Sequence, residues 1–339
     1  MTELAGWSNL ALYSAMAVYT IAMLLFASYL AALGPAPAPA EERAKQLVGA
    51  GGQLEAGESV EQPAGESAGD ASPAGRPARA GGQPDPTTSL RARKLAGTAL
   101  SMSWLATGLL VLSVVLRGAA VMRPPWGNMF EFATAGAAAA ALAYLLLARR
   151  NRWEWLGIFV IGPVLLTLGL ALLAFYTEAA ELMPALKSVW LVIHVIVAIL
   201  ASGLFTIAFS IGILYLVKLR RETTPPARRT FMEALPSAAR LERAAYGLNM
   251  VGFICWTFTL VAGAIWAQKA WGSYWTWDPK EVWTFVVWVV YAAYMHARAT
   301  AGWEPRKAMW IALAGFGTLL VNFLVVNVFF VGQHSYSGL

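Results

Sequence analysis

Charge is scarce in this chain. Of 339 residues, 13% are Asp, Glu, Lys or Arg and 58% are hydrophobic, whereas a soluble domain carries about 25% charged residues. A water-facing globular surface is excluded on that ground. Cysteine is scarcer: Cys255 stands alone inside an apolar run, so no internal disulfide framework exists and no Cys-x-x-Cys-His attachment motif occurs. Histidine is limited to His194, His296 and His334. Residues 34–94 contain no Phe, Trp or Tyr and are rich in Ala, Gly, Pro and Glu. Such a segment buries too little apolar surface to offset its ordering entropy and reads as a disordered linker without chemistry of its own.

Long apolar runs are what the sequence has in plenty. Eight stretches near 8–33, 97–117, 128–148, 155–175, 189–217, 247–266, 281–298 and 309–332 reach or approach the roughly 20 residues needed to cross a bilayer. The expected fold is an all-α polytopic membrane protein of about eight transmembrane helices. Its parts are an N-terminal transmembrane helix within 1–33, the linker 34–94 and a seven-helix unit over 95–339. The net charge of +6 sits in short basic clusters between apolar runs, which is the pattern of topology signals; no nucleic-acid partner is expected. Most of the 25 Lys and Arg fall in the linker and in the third, fifth and seventh connections. Those connections are then cytoplasmic in a plasma-membrane protein, with both termini outside. Asn128 followed by Glu131, and Asp278 followed by Glu281 with Pro279 between, have the spacing of helix-starting capping boxes on the outer face.

That frame sorts the histidines. His194, five or six residues into the fifth span, and His334, just past the eighth, belong to the outer level. His296 lies near the inner end of the seventh span. Each alone suits an ordinary role: a bonded side chain in the bundle, a solvated tail residue, a cation at a helix C-terminus. Together, two outer imidazoles also suit bis-histidine ligation of haem iron. Between the sixth and seventh spans runs Trp271-Gly-Ser-Tyr-Trp-Thr-Trp-Asp-Pro-Lys-Glu-Val-Trp283. An interfacial aromatic belt explains one or two of Trp271, Trp275, Trp277 and Trp283, not the cluster. Broad aromatic faces hold a flat apolar ligand, and Lys269 or Lys280 would meet an acidic edge. A porphyrin with two propionates fits; a lipid, quinone or sugar would suit the same composition. Asp278 reads as a helix N-cap ahead of any catalytic acid.

The tryptophan run resembles the WWD signature of haem-handling proteins of cytochrome c biogenesis. More closely, residues 120–339 resemble the CcsA/ResC family of the two-component (System II) cytochrome c synthase, whose actinobacterial relatives are often labelled CcsB. Pro125-Trp-Gly-Asn-Met-Phe-Glu131 is similar to that family's Pro-Leu-Ser-Asn-Leu-Tyr-Glu, departing at Trp126, Gly127, Met129 and Phe130. The segment from Met183 to His194 matches the one before the family's first outer histidine, with Val189 where Asn is common. Tyr291 to His296 matches its membrane histidine, and Gly332 to Tyr336 its second outer histidine.

The resemblance implies His194 and His334 as axial ligands to haem b at an outer site, with Trp271, Trp275, Trp277, Asp278 and Trp283 around it. It implies His296 as ligand at an inner site. Since the chain has one inner histidine, the second inner ligand is expected from a ResB-like membrane partner. The implied role is a subunit of a holocytochrome c synthase that presents haem to the CxxCH of apocytochrome c, with a thioredoxin-like protein reducing the acceptor thiols. No residue reads as a dedicated catalytic acid or base. Two other readings are a b-type electron-transfer cytochrome and a System I-type haem handler.

Overall fold

The computed structural model describes residues 2–33, 90–178, 188–224 and 230–334. Among them the long elements are all helices: α1 (Thr2–Ala32), α2 (Leu90–Ala120), α3 (Met129–Asn151), α4 (Gly157–Ala174), α5 (Val189–Thr223), α6 (Ala238–Trp271), α7 (Pro279–Ala299) and α8 (Pro305–Leu320). A π-helical turn, Val321–Val326, and a short helix, Asn327–Phe329, extend α8. Most helices outrun the apolar spans read from sequence, because the polar ends continue the backbone ladder past the lipid boundary. Thus α2 takes in residues 90–94, assigned above to the linker; residues 34–89 lie outside the described residues.

Seven of these helices are long and apolar enough to cross a membrane. The remaining expected span, the seventh, is α7, with 21 residues, about 31 Å at 1.5 Å per residue. It falls short on apolarity because it carries Trp, Tyr, His and Lys. The chain is an all-α, multi-pass membrane protein.

Three packed pairs organise the bundle: α1 with α2, α5 with α6, and α7 with α8. The α3 helix touches α2, α4 and α5 and so joins the first two pairs, while α5 against α8 and α6 against α7 bring in the third. In lipid, helices gain little from mutual apolarity, so close approach depends on small residues and interhelical hydrogen bonds. Tyr19 and Thr107 hydroxyls lie 2.7 Å apart between α1 and α2. The alanine run of α3 lets α5 come so near that a Cβ on Gly203 would sit 3.2 Å from the Ala140 Cα.

Helix ends at one face of the bundle are set by side chains. Asn128 Oδ1 accepts the Glu131 N–H at 2.9 Å and starts α3. Asp278 and Glu281 complete the reciprocal capping box of α7, with Pro279 in its first turn. Gly272, at φ +76°, stops α6 in the left-handed conformation that glycine adopts without steric cost. The tryptophan loop is therefore shorter than its sequence suggested. Trp271 ends α6 and Trp283 lies within α7, leaving 272–278 as connection.

Candidate functional site

His194 stands in the second turn of α5 and faces α6. Its Nδ1 lies 2.9 Å from the carbonyl oxygen of Thr259. A carbonyl only accepts, so Nδ1 carries the proton and the neutral ring keeps its lone pair on Nε2. Gly263 makes room, since a Cβ there would meet the ring at 2.8 Å. Trp266 stacks against it, centroids 6.3 Å apart and planes 21° from parallel. Thr259, Gly263 and Trp266 follow steps of four and three, so one face of α6 bonds, clears and covers the imidazole.

His334 arrives from the segment after α8 and is held in the same manner. Its Nδ1 lies 2.9 Å from Asp278 Oδ1, and its ring meets Trp271 at 4.8 Å and Trp266 at 5.6 Å edge-on. Asp278 also accepts from the Lys280 N–H at 2.9 Å and the Gln333 N–H at 2.6 Å. Burial pushes the Asp278 carboxyl up, but hydrogen bonds from His334, Lys280 and Gln333 outweigh it and hold it below its usual range. A carboxylate opposite Nδ1 again places the proton there and the lone pair on Nε2. Asp278 is thus both the N-cap of α7 and the residue that orients His334.

Both histidines line one cavity of about 340 Å³ between α3, α4, α5, α6, α7 and α8. That is within the roughly 300–1,000 Å³ typical of small-molecule sites. Tyr274 and Trp275 close it near the loop, Trp126 and Phe132 flank it, and Thr206 and Phe316 lie at its depth. Among the described residues, two buried side-chain atoms of lining residues lack a hydrogen-bond partner, Thr259 Oγ1 and Asn322 Oδ1.

The other expected site residues divide. Trp271 packs on His334 and Trp266, and Trp275 lines the cavity. Trp277 is 78% exposed and sits at φ +60°, a conformation rare for a bulky residue. The Thr276 and Asp278 amides on either side of it both donate to Glu281. Trp283 is half-buried on α7 and lies off the cavity lining. His296 is exposed at the opposite end of α7, about 27 Å along the helix from Asp278 at 1.5 Å per residue; the structure does not bring it to the other two. Lys280 lines the cavity, whereas Lys269 is exposed and does not. Sequence reading missed Trp266, Gly263 and Thr259, whose signal was the shared α6 face, and Asn322, which carried none.

The capping spacing at Asn128 is met only in part. Glu131, fully buried, does not reach back to Asn128; it accepts from the Gly127 N–H at 2.7 Å and pairs with Arg117 at 3.0 Å and Arg123 at 2.7 Å. The Arg117 guanidinium also sits 4.6 Å over the Phe130 ring and donates to the Thr177 carbonyl. The two arginines fix the turn that sets Trp126 against the cavity. Glu131→Gln leaves buried guanidinium charge unbalanced and should cost about 3–5 kcal/mol. A thermal-unfolding midpoint in detergent that matches wild type would refute that role.

A family model described as cytochrome C assembly protein matches residues 126–334, which includes the cavity with His194 and His334. The cytochrome c biogenesis protein CcsA of Synechococcus sp. (strain CC9902) is 32% identical over 256 residues, covering 67% of this chain and 83% of that protein. CcsA of Prochlorococcus marinus (strain AS9601) is 32% identical over 269 residues, covering 72% and 86%. CcsA of Guillardia theta is 34% identical over 204 residues, covering 54% and 68%. Among solved structures, cytochrome c heme lyase CcmF shares the fold with a TM-score of 0.54 at 16% identity. The match takes in 95% of this chain and 47% of that one, so the chain spans about half the lyase's length.

Proposed function

Since the chain belongs to the cytochrome c assembly protein family, we propose that it presents haem at the outer membrane face for covalent attachment to apocytochrome c. The observation that carries this reading is the pair His194 and His334. Each ring has its Nδ1 engaged, by Thr259 and by Asp278, and both line one cavity. Imidazoles so oriented offer Nε2 to iron, and an engaged second nitrogen is the usual support for a metal-ligating histidine. Haem b is the cargo, held by the two axial histidines, with Trp271, Trp275 and Trp266 as its aromatic surroundings.

Transfer needs no acid or base from this chain. Each acceptor thiol adds its S–H across a vinyl group, forming one C–S bond and one C–H bond with no net change in oxidation state. The acceptor histidine displaces one axial ligand, and catalysis is chiefly the positioning of thiol against vinyl. A thioredoxin-like protein keeps the acceptor cysteines reduced. His296, remote from the cavity, belongs to an inner site whose second ligand comes from a ResB-like partner in the plasma membrane. The chain is one subunit of the synthase.

Co-expression of the chain with a ResB-like protein and a CxxCH acceptor should yield haem on the acceptor that survives denaturing electrophoresis, and omitting the chain should abolish it. No covalent haem, with a bound haem that cycles against a quinone instead, would favour the electron-carrier reading and overturn this one.

A further inference from the structure

We infer that Lys280 and Asn322 form a subsite for a carboxylate of the flat ligand and so fix which edge of it faces α7 and α8. The inference rests on the cavity being a metalloporphyrin site and adds an in-plane orientation to it. Lys280, in the first turn of α7, turns its side chain along the cavity wall, and its Nζ donates to the backbone oxygen of Asn322 at 2.8 Å. An ammonium has three donors; among the described residues this is its one hydrogen bond from Nζ.

Asn322 is 3% exposed and lies in the π-helical turn that extends α8. Such turns interrupt the regular backbone ladder and recur at functional sites. The Thr284 hydroxyl donates to the Lys280 carbonyl at 2.7 Å and is left to accept from Asn322 Nδ2 at 3.3 Å. That chain directs the amide nitrogen toward Thr284 and leaves Oδ1 buried without a partner among the described residues, in a side chain whose residue lines the cavity. A buried acceptor without a donor costs about 1–3 kcal/mol, which a purely apolar pocket would not keep. A carboxylate on the Lys280 ammonium, with a bridging water donating to Oδ1, satisfies both groups.

The nearest negative charges do not occupy the ammonium. Glu281 spends its carboxylate on the Thr276 and Asp278 amides, and Asp278 on the Lys280 and Gln333 amides and His334. The wall from α3 and the turn before it offers Trp126, Met129, Phe132 and Ala133, with Asn128 held in the helix cap by the Glu131 N–H. The acidic edge is therefore held against α7 and α8, and the vinyl edge lies toward apolar side chains.

The test is absorbance titration of the full chain in detergent with haemin and with haemin dimethyl ester, whose carboxylates are capped. Wild type should bind the free acid about tenfold or more tightly than the ester, the size of one charge-assisted hydrogen bond. Lys280→Met and Asn322→Asp should reduce that preference to within about twofold, and Lys280→Arg should keep it. Equal binding of acid and ester by wild type, with a six-coordinate spectrum in both, would overturn the subsite and leave the haem site standing. Retention of the preference by Lys280→Met would overturn it too. A wild-type chain with no six-coordinate spectrum from either compound removes the site reading and the subsite together.

Discussion

Alanine at His194 or at His334 should abolish the six-coordinate spectrum of the haem-loaded chain and lower the haem that co-purifies about tenfold or more. Loss of an axial ligand should exceed the roughly 10–100-fold effect of losing only its orienting partner, or at least equal its lower end. The two positions should behave alike, since both histidines line one cavity with Nδ1 engaged. Glycine in place of either histidine, with free imidazole added, should restore the six-coordinate band, because the cavity then accepts the missing ring. A protein damaged in folding would not be rescued in that way. Wild-type haem content and spectrum in both alanine variants would remove the ligand assignment.

The second large effect is expected at Asp278. Asn is as good an N-cap as Asp, so Asp278→Asn keeps the start of α7. An amide beside His334 Nδ1 no longer demands a proton there, and its own N–H₂ favours the tautomer with the proton on Nε2, where the iron would bind. Haem affinity should fall about 10–100-fold, with the thermal-unfolding midpoint little changed. Equal affinity in the variant would mean that Asp278 serves the helix alone. A collapse of stability together with affinity would mean that the cap and the orienting role cannot be separated.

Much of the architecture was legible because the membrane restricts it. Apolar run length marks a span, basic clusters mark connections, and the Asp278 to Glu281 spacing marks the start of α7 without reference to anything distant. The convergence of His194 and His334 on one end of the bundle also followed from counting residues along spans. The loop boundaries were less legible. Trp271 and Trp283 read as one aromatic run with their neighbours, yet the left-handed turn at Gly272 and the capping box assign them to different helices.

What stayed hidden depends on contacts between distant elements. Trp266 looked like one more apolar residue of a span; only the packing of distant elements brings it into ring contact with both His194 and His334. Glu131 had the spacing of a cap partner, but two arginines lying within 14 residues of it draw its carboxylate away. The choice between Lys269 and Lys280 turned on which way each lysine faces at the end of its helix. The role of Asn322 depends on a π-helical turn that no residue in Val321–Val326 announces.

Low-temperature electron paramagnetic resonance of the haem-loaded wild-type chain tests most directly whether His194 and His334 hold one iron. A low-spin ferric signal with two imidazole nitrogens, lost in each histidine variant, is the expected result. A high-spin signal, or a low-spin signal that persists when either histidine is removed, would contradict it.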